Sequence, residues 1–315
     1  MPLISIVSPV YKAEKIIPTL VQRIITSLTQ ITDDFEVLLV DDCGPDNSWA
    51  EIVKASKYDS RVKGIKLSRN FGQHAAITAG LSEVEGDWIV VMDCDLQDQP
   101  EEIPFLYQEA INTKRDVVLA RRVQRIDGFF KRLSSKAFYQ TLGYLTNTEQ
   151  NPEVANFGIY KSKVIDAVLA MKDYVRFFPT MVKWVGFEVG TLEVQHAERF
   201  EGDSSYNFAS LFRLGIDTVL SFSDKPLRLM IRLGGVMSIA SFCFAMYYIC
   251  AHVLGIITVS GFSSIMVSIW FLGGVIITLM GMLGLYLGKA FDQVKDRPVY
   301  IISEISKQHE TVRLG

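Results

Sequence analysis

Cysteine is scarce in this 315-residue chain, and the four present, Cys43, Cys94, Cys243 and Cys250, lack metal-ligand spacing. Neither a disulfide framework nor a zinc site is expected. An excess of positive charge is missing too. The formal net charge is -3 and the isoelectric point is near 5.9, which excludes a global electrostatic footprint for nucleic acid. No Gly-x-Gly-x-x-Gly follows the first apolar run, and no phosphate-binding Gly-Lys loop exists. Dinucleotide and P-loop readings therefore lack support. Internal repeats and low-complexity linkers are absent. The chain reads as a strand from residue 3, so no signal peptide is expected.

The longest absence is of charge. Residues 233–288 contain no Asp, Glu, Lys or Arg over 56 residues, with His252 the one possible charge. A bilayer span needs about 20 apolar residues, so two helices fit, at 229–254 and 263–287, joined by 255–262. Lys225, Arg228 and Arg232 flank the first; Lys289, Lys295 and Arg297 follow the second. The connection carries no basic residue. By the positive-inside rule both ends face the cytoplasm. The expectation is a multi-pass protein of the inner (cytoplasmic) membrane, with its main domain and both termini cytoplasmic. A buried helical hairpin of a soluble protein is the alternative, but soluble cores rarely hold such a length without charge.

What precedes the apolar tract is a soluble α/β domain. Apolar, β-branched runs at 3–8, 35–41, 62–67, 88–92 and 116–120 alternate with helical patterns at 14–28, 48–57, 75–83 and 101–112. Such alternation predicts a parallel sheet covered on both faces, with ligands outside the carboxyl ends of its strands.

Four strand ends carry the candidate chemistry. The fourth run ends in Asp93-Cys94-Asp95-Leu96-Gln97-Asp98. Side chains two apart on a strand share a side, and one or two carboxylates completed by phosphate oxygens suit a hard divalent cation. An ordinary Asp-rich turn is the competing reading. The first run delivers Pro9-Val10-Tyr11, where a ring is placed to stack on a base. The second delivers Asp41-Asp42, acceptors for a base or ribose, or else turn formers. After the third comes Ser68-Arg69-Asn70-Phe71-Gly72-Gln73-His74, either a nucleotide contact or an N-capping loop, with the capping reading favoured for His74. Together the four loops predict a nucleotide-plus-metal site.

The order Pro-x-Tyr, Val-Asp-Asp, Arg-Asn-Phe-Gly-Gln-His and Met-Asp-Cys-Asp-Leu-Gln-Asp-x-Pro-Glu-Glu-Ile-Pro resembles the family 2 glycosyltransferases of the polyprenyl-phosphate type. These include dolichol-phosphate mannose synthases, bactoprenol glucosyltransferases and undecaprenyl-phosphate aminoarabinose transferases. The resemblance covers nearly the whole chain. It takes in Arg122 and Arg125, His196-Ala-Glu-Arg199-x-x-Gly202-x-Ser204-x-Tyr206, Ser223-Asp224-Lys225-Pro226-Leu227-Arg228 and the two-span tail.

The resemblance implies a Rossmann-like GT-A nucleotide-diphospho-sugar transferase domain (1–206), a juxtamembrane amphipathic segment (207–228), two transmembrane helices (229–288) and a cytoplasmic C-terminal tail (289–315). It implies metal-dependent, inverting transfer of a sugar from a nucleotide diphosphate, expected to be UDP, to a polyprenyl (undecaprenyl) phosphate at the cytoplasmic leaflet. The partners would be the nucleotide-sugar donor, the lipid phosphate, the bilayer and a homo-oligomer, a tetramer by resemblance, with no nucleic acid.

Mg²⁺ or Mn²⁺ would sit on Asp95, with Gln97 and Asp93, and neutralise the leaving diphosphate. Pro9, Tyr11, Glu14, Asp41, Asp42, Arg69 and Asp93 would face the nucleotide. Arg122, Arg125, Lys131, Arg132, Arg199, Ser204 and Tyr206 would face the phosphates or the lipid acceptor, through charge-assisted hydrogen bonds in the case of the arginines. Asp93, Asp95, Asn156 and Arg199 are the expected catalytic set.

Two departures stand out. Where relatives carry Asp before an aromatic residue as a proposed base, this chain has Asn156, which cannot accept a proton. A lipid phosphate, mostly dianionic above its second pKa of about 6, attacks unaided or with Asp93 as substitute. Tyr11-Lys12-Ala13 replaces Tyr-Asn-Glu, leaving Glu14 as the neighbouring carboxylate. Amphipathic stretches at 127–146, mixing aromatics with Lys131, Arg132 and Lys136, and at 207–222 suit an interfacial location. For the first, a helix packed on the sheet with a solvated basic face is the alternative; for the second, adjacency to the apolar hairpin favours the interface. A processive polysaccharide synthase would need a Gln-x-x-Arg-Trp signature and more spans. A catalytically impaired membrane adaptor, or transfer to a different lipid, are the alternatives.

Overall fold

The computed structural model describes residues 3–122, 154–173, 176–195, 223, 225–254, 261–307 and 310–313. They form a sheet unit and a helical unit. In the sheet unit, β1 (Ile4–Val10), β2 (Phe35–Asp41), β3 (Val62–Leu67) and β4 (Trp88–Val91) alternate with α1 (Ile17–Leu28), α2 (Ser48–Tyr58) and α3 (Gln73–Leu81). A single-turn helix (Pro100–Glu102), α4 (Ile103–Thr113) and β5 (Val117–Arg122) follow. After β6 (Val154–Lys161) come α5 (Ser162–Ala170), α6 (Phe178–Trp184) and β7 (Val189–Val194). The strands β8 (Ile302–Lys307) and β9 (Glu310–Arg313) close the sequence.

Among the described residues the strands make one sheet in the order β7-β5-β6-β4-β1-β2-β3-β8-β9. The central β4-β1-β2-β3 block is parallel, with Val10 level with Asp41 and Val7 level with Val91. Every residue of β1 and β2 is buried, which is why these strands read as unbroken apolar runs: helices cover both faces. Ile4, Ile6 and Val10 join Leu20, Ile24 and Leu28 of α1 in the core. On the other face α3 lies unusually close to the sheet. A Cβ on Gly80 would sit 2.5 Å from Val7 Cγ1 and 2.9 Å from Val40 Cγ2.

The expectation of an all-parallel sheet is corrected outside this block. Strand β6 inserts antiparallel between β4 and β5, and β8 adds antiparallel to β3. Helix α3 starts at Gln73, two residues before the expected position. The segment expected as a C-terminal tail supplies β8 and β9, and the chain from Pro298 onward groups with the sheet unit.

The helical unit holds α7 (Lys225–Val253) and α8 (Phe262–Val294), of 29 and 33 residues. Both are long and apolar enough to cross a membrane. Leu229, Ile231, Val236, Ile239 and Phe242 of α7 are exposed, as are Ile269, Ile276, Met280, Leu283 and Leu287 of α8.

Candidate active site

The chain leaves β1, β2 and β4 through residues with left-handed backbone: Lys12 at φ 54°, Cys43 at φ 53° and Leu96 at φ 60°. None is glycine. Each costs roughly 1–2 kcal/mol, and non-glycine residues in such regions cluster at functional sites. Leu96 is 2% exposed, so its buried side chain fixes the turn that carries Asp93 and Asp95.

Asp41 and Asp42 do different work although they are adjacent. Asp41 is 2% exposed and its Oδ1 accepts the Gly44 N–H at 3.3 Å. Burial pushes its carboxyl up to about 6; the Gly44 amide and Lys66 oppose this, and Asp46 and Asp42 add to it. The sign follows from the direction. A folded pKa above the unfolded 3.8 means the fold prefers the protonated acid, so this group costs stability as pH rises from about 4 to about 6, and the cost persists above. At 1.36 kcal/mol per unit it reaches about 3 kcal/mol. Asp41→Asn is therefore expected to melt higher than wild type at pH 8, with the gain vanishing near pH 4. Melting curves of both proteins across pH 4–8 measure this; a constant offset would refute it.

Asp42 is 3% exposed and grips the next loop. Its Oδ1 accepts Phe71 N–H at 2.7 Å and its Oδ2 accepts Gly72 N–H at 2.9 Å. Gly72 has φ +93°, which a Cβ would strain even though open space surrounds it. Helix α3 begins immediately after, and Gln73 Nε2 donates to Asp93 Oδ1 at 2.6 Å. Asp95 Oδ1 accepts Gln97 N–H at 3.1 Å. Between the two carboxylates, burial first and then the Asp93 charge push the Cys94 thiol up to about 12. No thiolate competes there, and the donor set is hard oxygen, which fits Mg²⁺ or Mn²⁺. Among the described residues no three His, Cys, Asp or Glu side chains form a cage of their own. Such an ion would take its remaining ligands from phosphate and water.

Asn156 lies in β6, the antiparallel neighbour of β4. Val91, the last residue of β4, pairs with Gly158, two residues after Asn156, and the β5–β6 pairing is irregular between Gly158 and Val154. The Tyr160 hydroxyl donates to the Asn156 carbonyl at 3.3 Å.

Pro9 is buried in β1 and Tyr11, 39% exposed, stands at its end. The Glu14 carboxylate accepts the backbone and side-chain N–H groups of Asn47 at 3.2 and 3.3 Å. Glu14 N–H donates in return to Asp46 Oδ2 at 3.1 Å, and Ala13 N–H donates to Ser48 Oγ at 3.0 Å. These bonds tie the loop after β1 to the loop after β2. The Arg69 guanidinium lies 4.1 Å from the Phe71 ring centroid. Arg122 ends β5 opposite Val194, while the neighbouring Arg121 pairs with Glu193. Arg125, Lys131, Arg132, Arg199, Ser204 and Tyr206 lie outside the described residues, as do both amphipathic stretches.

Two side chains of the loop after the third run have roles that its sequence reading did not assign. Gln73 orients Asp93, and no sequence spacing announces a contact 20 residues away. His74 packs edge-on against Phe177 at 4.8 Å; its Nδ1 is buried without a hydrogen bond, and burial lowers its pKa to about 4. It is a neutral packing ring at pH 7.

Residues 5–168 match the family model for glycosyl transferase family 2. The chain belongs to that family. It is 34% identical over 305 residues to the undecaprenyl-phosphate 4-deoxy-4-formamido-L-arabinose transferase of Proteus mirabilis, covering 96% of this chain and 93% of that protein. An uncharacterized glycosyltransferase of Synechocystis sp. is 31% identical over 306 residues, covering 96% and 95%. A crystal structure of Mycobacterium tuberculosis glucosyl-3-phosphoglycerate synthase with Mn²⁺, UDP-glucose and phosphoglyceric acid aligns with a TM-score of 0.52 at 12% identity, over 70% of this chain and 78% of that one. That likeness establishes the GT-A fold. As a family 2 member the protein is a glycosyltransferase, so the carboxyl edge of β1, β2 and β4 is where its chemistry is to be sought.

Proposed function

We propose that this family 2 glycosyltransferase moves a sugar from a UDP-linked donor to a polyprenyl phosphate at the cytoplasmic face of a membrane, with inversion. The observation that carries this reading is the interruption of one sheet by two membrane-length helices. The chain departs after β7, runs through α7 and α8, and returns to pair β8 with β3. The chain before and after the helical pair belongs to the sheet unit, which supports a reading with two crossings. Helices apolar around their circumference belong in a protein core or a bilayer, and those of α7 and α8 are exposed. Lys225, Arg228, Arg232, Lys289, Lys295 and Arg297 support a cytoplasmic sheet side under the positive-inside rule. The similarity to the Proteus mirabilis transferase, which spans these helices as well, supports an undecaprenyl-type acceptor. Cβ positions on Gly273, Gly274, Gly281, Gly284 and Gly288 meet nothing within 4 Å, room that suits helix contacts in a homo-oligomer.

In this reading Asp95, with Asp93 and Gln97, holds Mg²⁺ or Mn²⁺. The ion supplies neutralisation of the diphosphate as the glycosidic bond breaks. Tyr11 and Asp41 face the nucleoside. Asn156 orients the acceptor phosphate, which is already a dianion near neutral pH and needs no base; an amide side chain suffices there. Arg122, Arg125 and Arg199 shield phosphate charge.

The deciding experiment incubates the purified full chain in nanodiscs with undecaprenyl phosphate, a panel of labelled UDP-sugars and Mg²⁺ or Mn²⁺. Label is expected in the organic phase with one donor, and EDTA abolishes it. Donor hydrolysis without lipid-linked label would overturn the acceptor.

A further inference from the structure

The β3–α3 loop, residues 68–72, is held from three directions. Asp42 takes the Phe71 and Gly72 amides, and Gln73 at the head of α3 takes Asp93. The third hold comes from the far end of the chain. Strand β8 pairs with β3 from Gly64↔Ser306 to Leu67↔Ile302, with an irregularity between Lys66 and Leu67. Beyond the ladder, Ser68 N–H donates to the Ile301 carbonyl at 2.9 Å. The Ser303 hydroxyl donates to the Lys66 carbonyl at 3.1 Å, beside the irregularity. The Tyr300 hydroxyl donates to Ser82 Oγ at 2.9 Å, and Ser82 is the C-cap of α3.

Residues 300–303 therefore touch the entry of the loop and the far end of the helix that the loop feeds. A strand added merely to cover an edge needs neither contact. Helix α3 is pressed against Val7 and Val40 through Gly80, so it has little freedom to tilt; what remains is sliding along its axis and loosening of its lead-in. Ile301 and Tyr300 oppose those two motions. Axial slip of α3 would carry Gln73 off Asp93, one of the two carboxylates assigned to the diphosphate.

We propose that residues 300–303 are a positioning element of the donor site, fixing the β3–α3 loop and α3 so that Asp42 and Gln73 hold Asp93 in place; this rests on the reading of Asp93 and Asp95 as the diphosphate side. Tyr300, Ser303 and Ile301 act through Asp42 and Gln73, not on the substrate.

The test uses the full chain with the double variant Tyr300→Phe/Ser303→Ala, and Arg61→Ala as a stability control. Arg61 sits just before β3 at the opposite edge of the sheet, bonded to Asp59 and stacked on Phe35. Binding of UDP with Mn²⁺ is measured by calorimetry, and donor KM and kcat by lipid-linked product, well below every melting temperature. The double variant is expected to weaken UDP–Mn²⁺ binding and raise donor KM at least threefold, leaving acceptor KM unchanged. Arg61→Ala lowers the melting temperature without moving donor KM. Equal UDP–Mn²⁺ binding by wild type and double variant would overturn the inference alone. So would an equal rise in donor KM from Arg61→Ala. Wild type that binds no UDP–Mn²⁺ would overturn the donor-site reading and this inference with it.

Discussion

Asp95→Ala abolishes most of the transfer activity while leaving the fold in place. The expected loss in kcat is about 10²–10³-fold, the scale seen when one preorganised charge-stabilising group is removed from a transition state. Asp95 sits past the end of β4 on a turn fixed by the buried Leu96, and its carboxylate accepts the Gln97 N–H. Losing that hydrogen bond costs the turn on the order of 1 kcal/mol, against several for the reaction. Label in the lipid fraction per unit protein, beside a melting curve, separates the two effects. Activity within tenfold of wild type would remove Asp95 from the metal role. Asp93→Ala falls in the same direction, and its loss includes the Gln73 contact.

Glu36→Ala produces the largest loss of stability. Glu36 is 5% exposed in β2 and lies at the opposite, amino-terminal edge of the sheet. Its Oε1 accepts the Ser5 hydroxyl and the Glu85 amide, and its Oε2 accepts Lys63 Nζ at 2.6 Å. Ser5 Oγ in turn accepts the Gly86 amide. One carboxylate thus joins β1, β2, β3 and the loop before β4. Removing one member of a buried charged network costs about 3–5 kcal/mol because the others lose their partner in a dry site. For a soluble unit of this size the melting temperature drops by about 6–20 °C. Transfer per folded molecule at 20 °C is unchanged, since no site residue is touched. A drop under 2 °C would show that water replaces the carboxylate at little cost.

The parallel core was legible because its physics is one-dimensional. A strand buried on both faces must be apolar throughout, so β1, β2 and β4 show as unbroken runs, and the residues after them must lie at the carboxyl edge. Strand β6 was not legible. Its Asn156 and Gly158 break the apolar pattern, yet Gly158 is required there, since a Cβ would meet the Val118 carbonyl and Leu119 Cδ2 at 2.9 Å. Nor was β8, a polar strand whose pairing with β3 is set by contacts more than 200 residues distant in sequence.

At the candidate site, the placing of Asp41, Asp93 and Asp95 at or just past the carboxyl ends of β2 and β4 could be read from the apolar runs alone. The division of labour could not. Asp42 turns its carboxylate to two backbone amides, and Glu14 is engaged by Asn47, because unsatisfied loop amides near a buried edge demand acceptors and sequence does not say which acid answers.

The β3–β8 pairing also sets a timetable. Residue 67 leaves the ribosome about 240 residues before Ile302, and at 5–20 residues per second that is roughly 10–50 s. For that interval β3 is an open edge inside a nascent chain, able to pair with any strand that passes. Lys63 and Lys66, which alternate with apolar residues along β3, are charges of the kind that discourage such pairing. The β3 edge is covered only once Ile302–Lys307 has been made, so a chain that stops between α8 and β8 emerges with the parallel block folded and that edge open.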